Sequence, residues 1–227
     1  MRLPVVVLIS GRGTNLQAII DQSSSSEFPA EIRAVISSNP QAQGLERARR
    51  AGLTTEVVDH RKYALREDFD RALMDVIDSY RPQLVVMAGF MRIVGAGLIR
   101  HYSGRLINIH PSLLPQFKGL DTHARALRNG ARQHGASVHF VTPEVDGGPV
   151  IIQAALLVQP QDTVQTLASG VLALEHRILP QAIKWFAEGR LTIKNGQVLL
   201  DGRRCADQGL ASGEDQTAEP SCNGASP

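Results

Sequence analysis

Cysteine is almost missing. The 227 residues include two, Cys205 and Cys222, both near the C-terminus. That leaves no disulfide framework and no Cys spacing suited to a metal. Aromatic residues make up only 4% of the chain, and the formal net charge is only +2. No basic cluster interleaved with aromatics occurs, so a nucleic-acid surface is not expected. Long apolar runs are lacking as well. Val5 to Ile9 is far too short for a secretion signal or a membrane span. No membrane partner is expected, and the simplest compartment is the cytoplasm. The histidines at 110, 123 and 134 show no recognisable ligand spacing, so no metal is predicted.

What is present is ordinary for a globular protein: 43% hydrophobic and 20% charged residues, in a chain long enough to bury a sizeable core. Val5 to Ile9 reads as a strand covered on both faces. Leu16, Ile19 and Ile20 give a helical stripe after it. Ile32–Ile36, Thr54–Val58 and Leu84–Ala88 read as further strands. Helices are predicted between them, over Ala42–Ala51 and from about Arg66, with Phe69, Leu73, Val76, Ile77 and Tyr80 on one face. This alternation predicts an α/β fold: an open, mostly parallel, twisted sheet in three layers.

The second half is less regular. Leu106–His110, Ser137–Val141 and Val150–Val158 read as strands, and Thr122–Leu127 as a helix. Asp162 is expected to cap a long helix facing inward through Val164, Leu167, Val171, Leu174 and Ile178, with a kink or restart at Pro180. Leu191 to Leu200 reads as a hairpin turning at Asn195-Gly196. Residues 1–203 are taken as one domain, and 204–227, rich in Gly, Ser, Ala, Asp and Glu without periodicity, as a disordered tail.

Several polar residues fall where such a sheet gathers ligands, beyond the carboxyl ends of its strands. Asn108 and His110 are two apart on one strand and so project from one face. An amide and an imidazole together can polarise an electrophile, although two hydrogen-bonded polar residues at a strand exit would look the same. Pro111 to Pro115 follow as a corner. The turn Gly11-Arg12-Gly13-Thr14-Asn15-Leu16 joins a strand to a helix, where backbone N–H groups suit a phosphate. Leu16 replaces the third glycine of the dinucleotide fingerprint, so a single phosphate fits better than a nicotinamide cofactor. A ligand-free glycine turn remains the alternative. Asp146, in Asp146-Gly147-Gly148-Pro149, is either a turn-former or, if it reaches His110, a carboxylate that raises the histidine pKa. His139 reads as a packed histidine, His123 and His134 as surface or loop residues. Glu175 reads equally as a solvated glutamate, and Arg66 with Asp70 as an i,i+4 pair.

Four segments in this order resemble a known family: Val7-Leu8-Ile9-Ser10-Gly11-Arg12-Gly13-Thr14-Asn15-Leu16-Gln17, Ala88-Gly89-Phe90-Met91-Arg92-Ile93, Asn108-Ile109-His110-Pro111-Ser112-Leu113-Leu114-Pro115 and Asp146-Gly147-Gly148-Pro149-Val150. The chain is similar, over about residues 4–203, to the folate-dependent phosphoribosylglycinamide formyltransferases of purine synthesis. The resemblance implies the formyltransferase fold with a Rossmann-like N-terminal half. It implies transfer of a formyl group from 10-formyltetrahydrofolate, the co-substrate, to the amine of phosphoribosylglycinamide. Carried over by position, Gly13, Thr14 and Asn15 would hold the phosphate and Glu175 the glycinamide or ribose. Arg66, Met91, Arg92, Ile93, Val94, Asn108, Thr142, Pro143, Glu144 and Val145 would line the folate site. Asn108, His110 and Asp146 would be catalytic, Asn108 and a protonated His110 stabilising the oxyanion. Small-molecule substrates alone, and a monomer or weak homodimer, are expected.

Leu172 departs from the family, standing near a position where relatives carry a polar amide. Asp121 stands where some relatives have histidine. Sister enzymes fit less well. A formyltetrahydrofolate hydrolase is expected to carry an extra N-terminal domain, whereas the first strand here starts at Val5. A methionyl-tRNA formyltransferase is expected to carry a basic C-terminal domain, whereas Glu214, Asp215 and Glu219 make this tail acidic. A non-catalytic module binding a phosphorylated ligand is the reading from another class.

Overall fold

A computed structural model of the chain describes residues 2–204 together with Leu210–Ala211. The chain divides into two compact units, Met1–Asn108 with Phe140–Val145, and Ile109–His139 with Asp146–Pro227.

The first unit alternates strands and helices: β1 (Leu3–Ile9), α1 (Thr14–Ser23), β2 (Ala30–Ser37), α2 (Gln43–Arg50), β3 (Thr55–Val57), α3 (Arg66–Ser79), β4 (Leu84–Met87), α4 (Ala96–His101) and β5 (Leu106–His110), whose last two residues belong to the second unit. The strand order is β5-β4-β1-β2-β3, all parallel. Val5 to Ile9 are each at most 1% exposed, as a strand covered on both faces requires. Val6 and Leu8 pack in one core with Phe69, Leu73 and Ile77 of α3 and Leu98 and Ile99 of α4. Gly44 of α2 lies against Ile9, on the opposite, odd-numbered face of β1. Helices therefore cover both faces of the parallel sheet, giving the three-layer α/β arrangement the alternation predicts.

β2 and β3 continue outward from one edge of β1, and β4 returns to its other edge. The reversal makes a topological switch point, where the turns after β1 and β4 part on opposite sides and leave room for a ligand. The short helix α4, unannounced by any apolar stripe of useful length, follows the second of these turns.

The second unit holds α5 (Thr122–Arg128), β6 (Gln133–Phe140, ending in the first unit), β7 (Val150–Leu157) and α6 (Val164–Ala187). A hairpin of β8 (Leu191–Lys194) and β9 (Gln197–Leu200) follows. β6 and β7 pair antiparallel, so the fold is mostly rather than wholly parallel, with an irregular register between Val138 and His139. The hairpin turns at Asn195 (φ 52°) and Gly196 (φ 73°), the two positive angles that favour Asn-Gly.

Three sequence expectations need correcting. The cap of α6 is Thr163, which accepts the Thr166 N–H in a capping box, while Asp162 accepts the Thr166 hydroxyl at 2.8 Å. Val164, in the first turn of α6, is exposed, whereas Leu167, Val171, Leu174 and Ile178 are buried. The helix continues through Pro180, itself buried, without a restart; packing of the buried residues on either side holds the helix across the missing N–H. The tail expected from residue 204 lies outside the described residues apart from Leu210–Ala211, which pair in parallel with β7.

Candidate active site

In the second unit His110 ends β5, 6% exposed. The corner after it is tied down by buried hydroxyl groups. Ser137 donates to the Ser112 carbonyl at 2.6 Å and accepts the Leu114 N–H at 3.0 Å. Gln153 donates to both Ser137 and the Leu114 carbonyl. All hydrogen-bonding capacity of the Ser137 hydroxyl is thus in use, and the strand exit is fixed.

The ring of His110 stands between two acceptors. Nδ1 is 3.4 Å from Asp146 Oδ2, and Nε2 is 3.1 Å from the Phe117 carbonyl. Asp146 is itself held: Oδ2 accepts the Gly119 N–H at 2.9 Å, and Oδ1 is 3.6 Å from His139 Nε2. Burial pushes the Asp146 carboxyl up. The His139 ring, the Gly119 N–H and the charges of both histidines pull it further down, leaving it below the ordinary carboxylate range. Asp146 is therefore an anion at neutral pH.

For His110 the balance is reversed. Asp146 does favour the protonated ring, as does the Phe117 carbonyl, but burial outweighs both and leaves His110 below its ordinary value. The resting ring is neutral at neutral pH. Only the protonated form could donate to both neighbours. His110 is therefore short of a proton yet placed to hold one.

His134 is not a surface or loop residue, and His123 is half-buried on α5. His134 lies in β6 at 1% exposure, its Nε2 3.1 Å from His123 Nδ1, and burial pushes it down to about 4. Glu175 of α6 is buried at 8% exposure rather than solvated, and Leu172 is half-buried.

In the first unit the turn after β1 enters α1 through Gly13, whose φ of 71° suits glycine. A Cβ there would come 2.5 Å from Gly44 Cα, whereas Gly11 has open space around it. Gly13 is thus demanded by the protein's own backbone. Thr14 and Asn15 open the helix, where the N–H groups of the first turn and the helix dipole suit an anion. Arg47 Nε donates to the Arg12 carbonyl at 2.9 Å and steadies the turn.

The segment after β4 carries Met91 and Ile93 at 73% and 63% exposure, with Arg92 exposed between them. Val94 turns instead into the core. Arg66 opens α3, and Asp70 one turn on is not its simple surface partner. Asp70 is 5% exposed and accepts the Gly95 N–H at 2.6 Å. Burial raises its carboxyl, against the Gly95 N–H and Arg66. Thr142 is half-buried, donating to the Glu144 carbonyl at 3.3 Å, while Pro143, Glu144 and Val145 are exposed. Asn108 is two residues before His110 on β5, so the strand's alternation points both side chains to one face.

Sequence reasoning missed four participants: His139 as a neighbour of Asp146, the Phe117 carbonyl, the Gly119 N–H and Ser10, whose hydroxyl accepts the Met91 N–H. Two are backbone atoms with no residue signature. Among the described residues no group of three or more His, Cys, Asp or Glu could hold a metal, and no helix is long and apolar enough to cross a membrane.

The first unit is a parallel sheet with a glycine turn at its switch point, the second holds an imidazole–carboxylate pair, and comparison with known proteins supplies the class. The formyl transferase family model matches residues 3–183, and the chain belongs to that family. The relatives are more particular. A phosphoribosylglycinamide formyltransferase of Escherichia coli is 50% identical over 92% of this chain and 99% of its own length. The phosphoribosylglycinamide formyltransferase of Coxiella burnetii, solved in complex with CHES, superposes with a TM-score of 0.87 at 53% identity, covering 93% of this chain and 99% of that one. A glycinamide ribonucleotide transformylase of Symbiobacterium toebii gives 0.85 at 47% identity, covering 88% and 94%.

Proposed function

We propose that this chain, acting through residues 1–203, transfers the formyl group of 10-formyltetrahydrofolate to the amine of phosphoribosylglycinamide, with small-molecule partners only. The observation that carries the reading is the full-length likeness to enzymes named for that substrate. The His110–Asp146 pair within 3.4 Å supports it.

In this reading Gly13, Thr14 and Asn15 take the phosphate and Glu175 the glycinamide or ribose. Arg66, Met91, Arg92, Ile93, Val94 and residues 142–145 serve the folate. The neutral amine attacks the formyl carbon, forming the C–N bond and placing negative charge on the formyl oxygen. The Asn108 amide donates to that oxygen, one such donor being worth about 3–4 kcal/mol. His110, neutral at rest, takes up the proton released by the amine, directly or through water. The Asp146 carboxylate stabilises the resulting imidazolium, which adds its own charge against the oxyanion. The proton then passes to the folate nitrogen as the C–N bond to the folate breaks. No covalent enzyme intermediate is required, and atoms and protons balance without a metal. The formyl oxygen, on this account, takes the place of the Phe117 carbonyl at Nε2.

The test mixes protein, 10-formyltetrahydrofolate and phosphoribosylglycinamide and follows the folate's ultraviolet spectrum beside a water-only control. Turnover that needs the amine, and is lost in His110→Ala and Asp146→Asn, is expected. Equal turnover in the water-only control would mean a hydrolase. Binding of the phosphorylated amine without turnover would mean a binding module.

A further inference from the structure

We propose that Ser10 is a positioning residue that couples the two substrates, by tying the phosphate turn to the loop that serves the folate. The inference rests on the reading above of Gly13–Asn15 and of Met91–Val94.

Ser10 is the first residue after β1. Its N–H donates to the Gly89 carbonyl at 3.2 Å, and its hydroxyl oxygen accepts the Met91 N–H at 2.9 Å, 81 positions away along the chain. The same hydroxyl lies 2.7 Å from Ser38 Oγ. Ser38, just beyond β2, is 1% exposed, and its carbonyl is 2.8 Å from His60 Nδ1. One small side chain thus joins the ends of β1, β2 and β4.

The surroundings decide where a displacement of this turn can go. Towards α2 there is no slack: a Cβ on Gly13 would stand 2.5 Å from Gly44 Cα, and Gly44 N–H donates to the Gly11 carbonyl at 3.0 Å. On the other side Gly89 has a φ of 75° and nothing near its missing Cβ. Met91, two residues on and beyond the buried Phe90, is 73% exposed. An anion drawing in the N–H groups of residues 13–15 therefore acts on a turn with no slack towards α2 and with a bond, through Ser10, to the segment that carries the exposed Met91. Ser10 is the bonded link to that loop, so occupancy of the turn alters the pose of Met91. Linkage makes the effect mutual.

The test is calorimetric titration of phosphoribosylglycinamide and of tetrahydrofolate, each alone and each with the other saturating. The pair lacks the formyl group, so no transfer occurs. In the native protein each ligand is expected to tighten the other by about five-fold or more, with one factor in both directions. Ser10→Ala is expected to bring that factor close to one, and Ser10→Thr, which keeps the hydroxyl, to restore it. Should Ser10→Ala not fold, Ser38→Ala, which removes the hydroxyl's outer partner, is expected to lower the factor. A native factor of one overturns the inference. So does a folded Ser10→Ala that binds both ligands more weakly yet keeps the native factor. A native protein that binds neither ligand overturns the functional reading beneath it.

Discussion

Asp146 faces Nδ1 of His110 at 3.4 Å with the same oxygen that accepts the Gly119 N–H. The carboxylate is thus oriented from outside the pair, and its charge rather than its shape is what His110 meets. Asp146→Asn keeps an acceptor for Gly119 and removes the charge. It is expected to lower kcat roughly 10²- to 10⁴-fold, the range of acid–base assistance, with a much smaller change in KM. Steady-state kinetics with both substrates varied reads the split. Equal losses in both constants would mean that Asp146 only positions substrate.

The neutral resting state of His110 has its own signature. Burial holds the ring below its ordinary 6.5 and Asp146 pushes it back up, less strongly. NMR titration of the His110 ring is expected to give a midpoint below 6.5, and a lower one still in Asp146→Asn, where the upward push is gone. In the native enzyme kcat/KM, corrected for the free-amine fraction of the substrate, is expected to hold as pH falls through 6.5 and to decline only below the His110 midpoint. A midpoint above 6.5 would restore the alternative in which the resting ring is already charged.

Much of this fold was legible because apolar periodicity reports burial directly. Val5–Ile9 reads as a doubly covered strand, and Asn195-Gly196 as a tight turn. Asn108 and His110 were legible for the same reason, since residues two apart on a strand share a face. What stayed hidden depended on backbone geometry and solvent exclusion. Phe117, Asp121 and Asp146 adopt φ of 53°, 55° and 50° without being glycine, which composition does not reveal. The irregular register at His139 accompanies the approach of that ring to Asp146, as pairing faults next to functional sites tend to re-aim a side chain. The direction of the His110 shift also turned on burial, whereas the sequence displayed only the carboxylate.

The Asp70 anchor predicts a packing conflict that can be measured pairwise. A Cβ on Gly95 would stand 2.6 Å from Asp70 Oδ2, so Gly95→Ala forces that carboxyl away from the N–H it accepts. A cost of about 1–3 kcal/mol is expected, from overpacking and a buried N–H left unpaired. Asp70→Ala should cost a similar amount by removing the acceptor. Because both changes break one contact, the double variant should be less destabilised than the sum of the two, by at least about 0.5 kcal/mol. Urea unfolding of the four proteins closes the cycle, and simple additivity would mean that the two residues act independently.

His134 predicts how stability responds to acid. Its ring is 1% exposed and pushed down to about 4, from an ordinary 6.5, by burial first and by the neighbouring His123 and His110 second. Between those two values the unfolded chain binds a proton at this position and the folded chain does not. Stability therefore rises with pH across the interval: the contribution is complete above 6.5, is lost progressively as pH falls below it, and levels off below about 4. At pH 5 the loss from this one group is about 2 kcal/mol relative to pH 7.5. His134→Gln, which does not titrate and can still bond His123, is expected to shrink the difference in unfolding free energy between pH 7.5 and pH 5 by about that amount. Chemical denaturation of both proteins at the two pH values measures it. An unchanged difference would mean that the folded protein already admits the proton at His134.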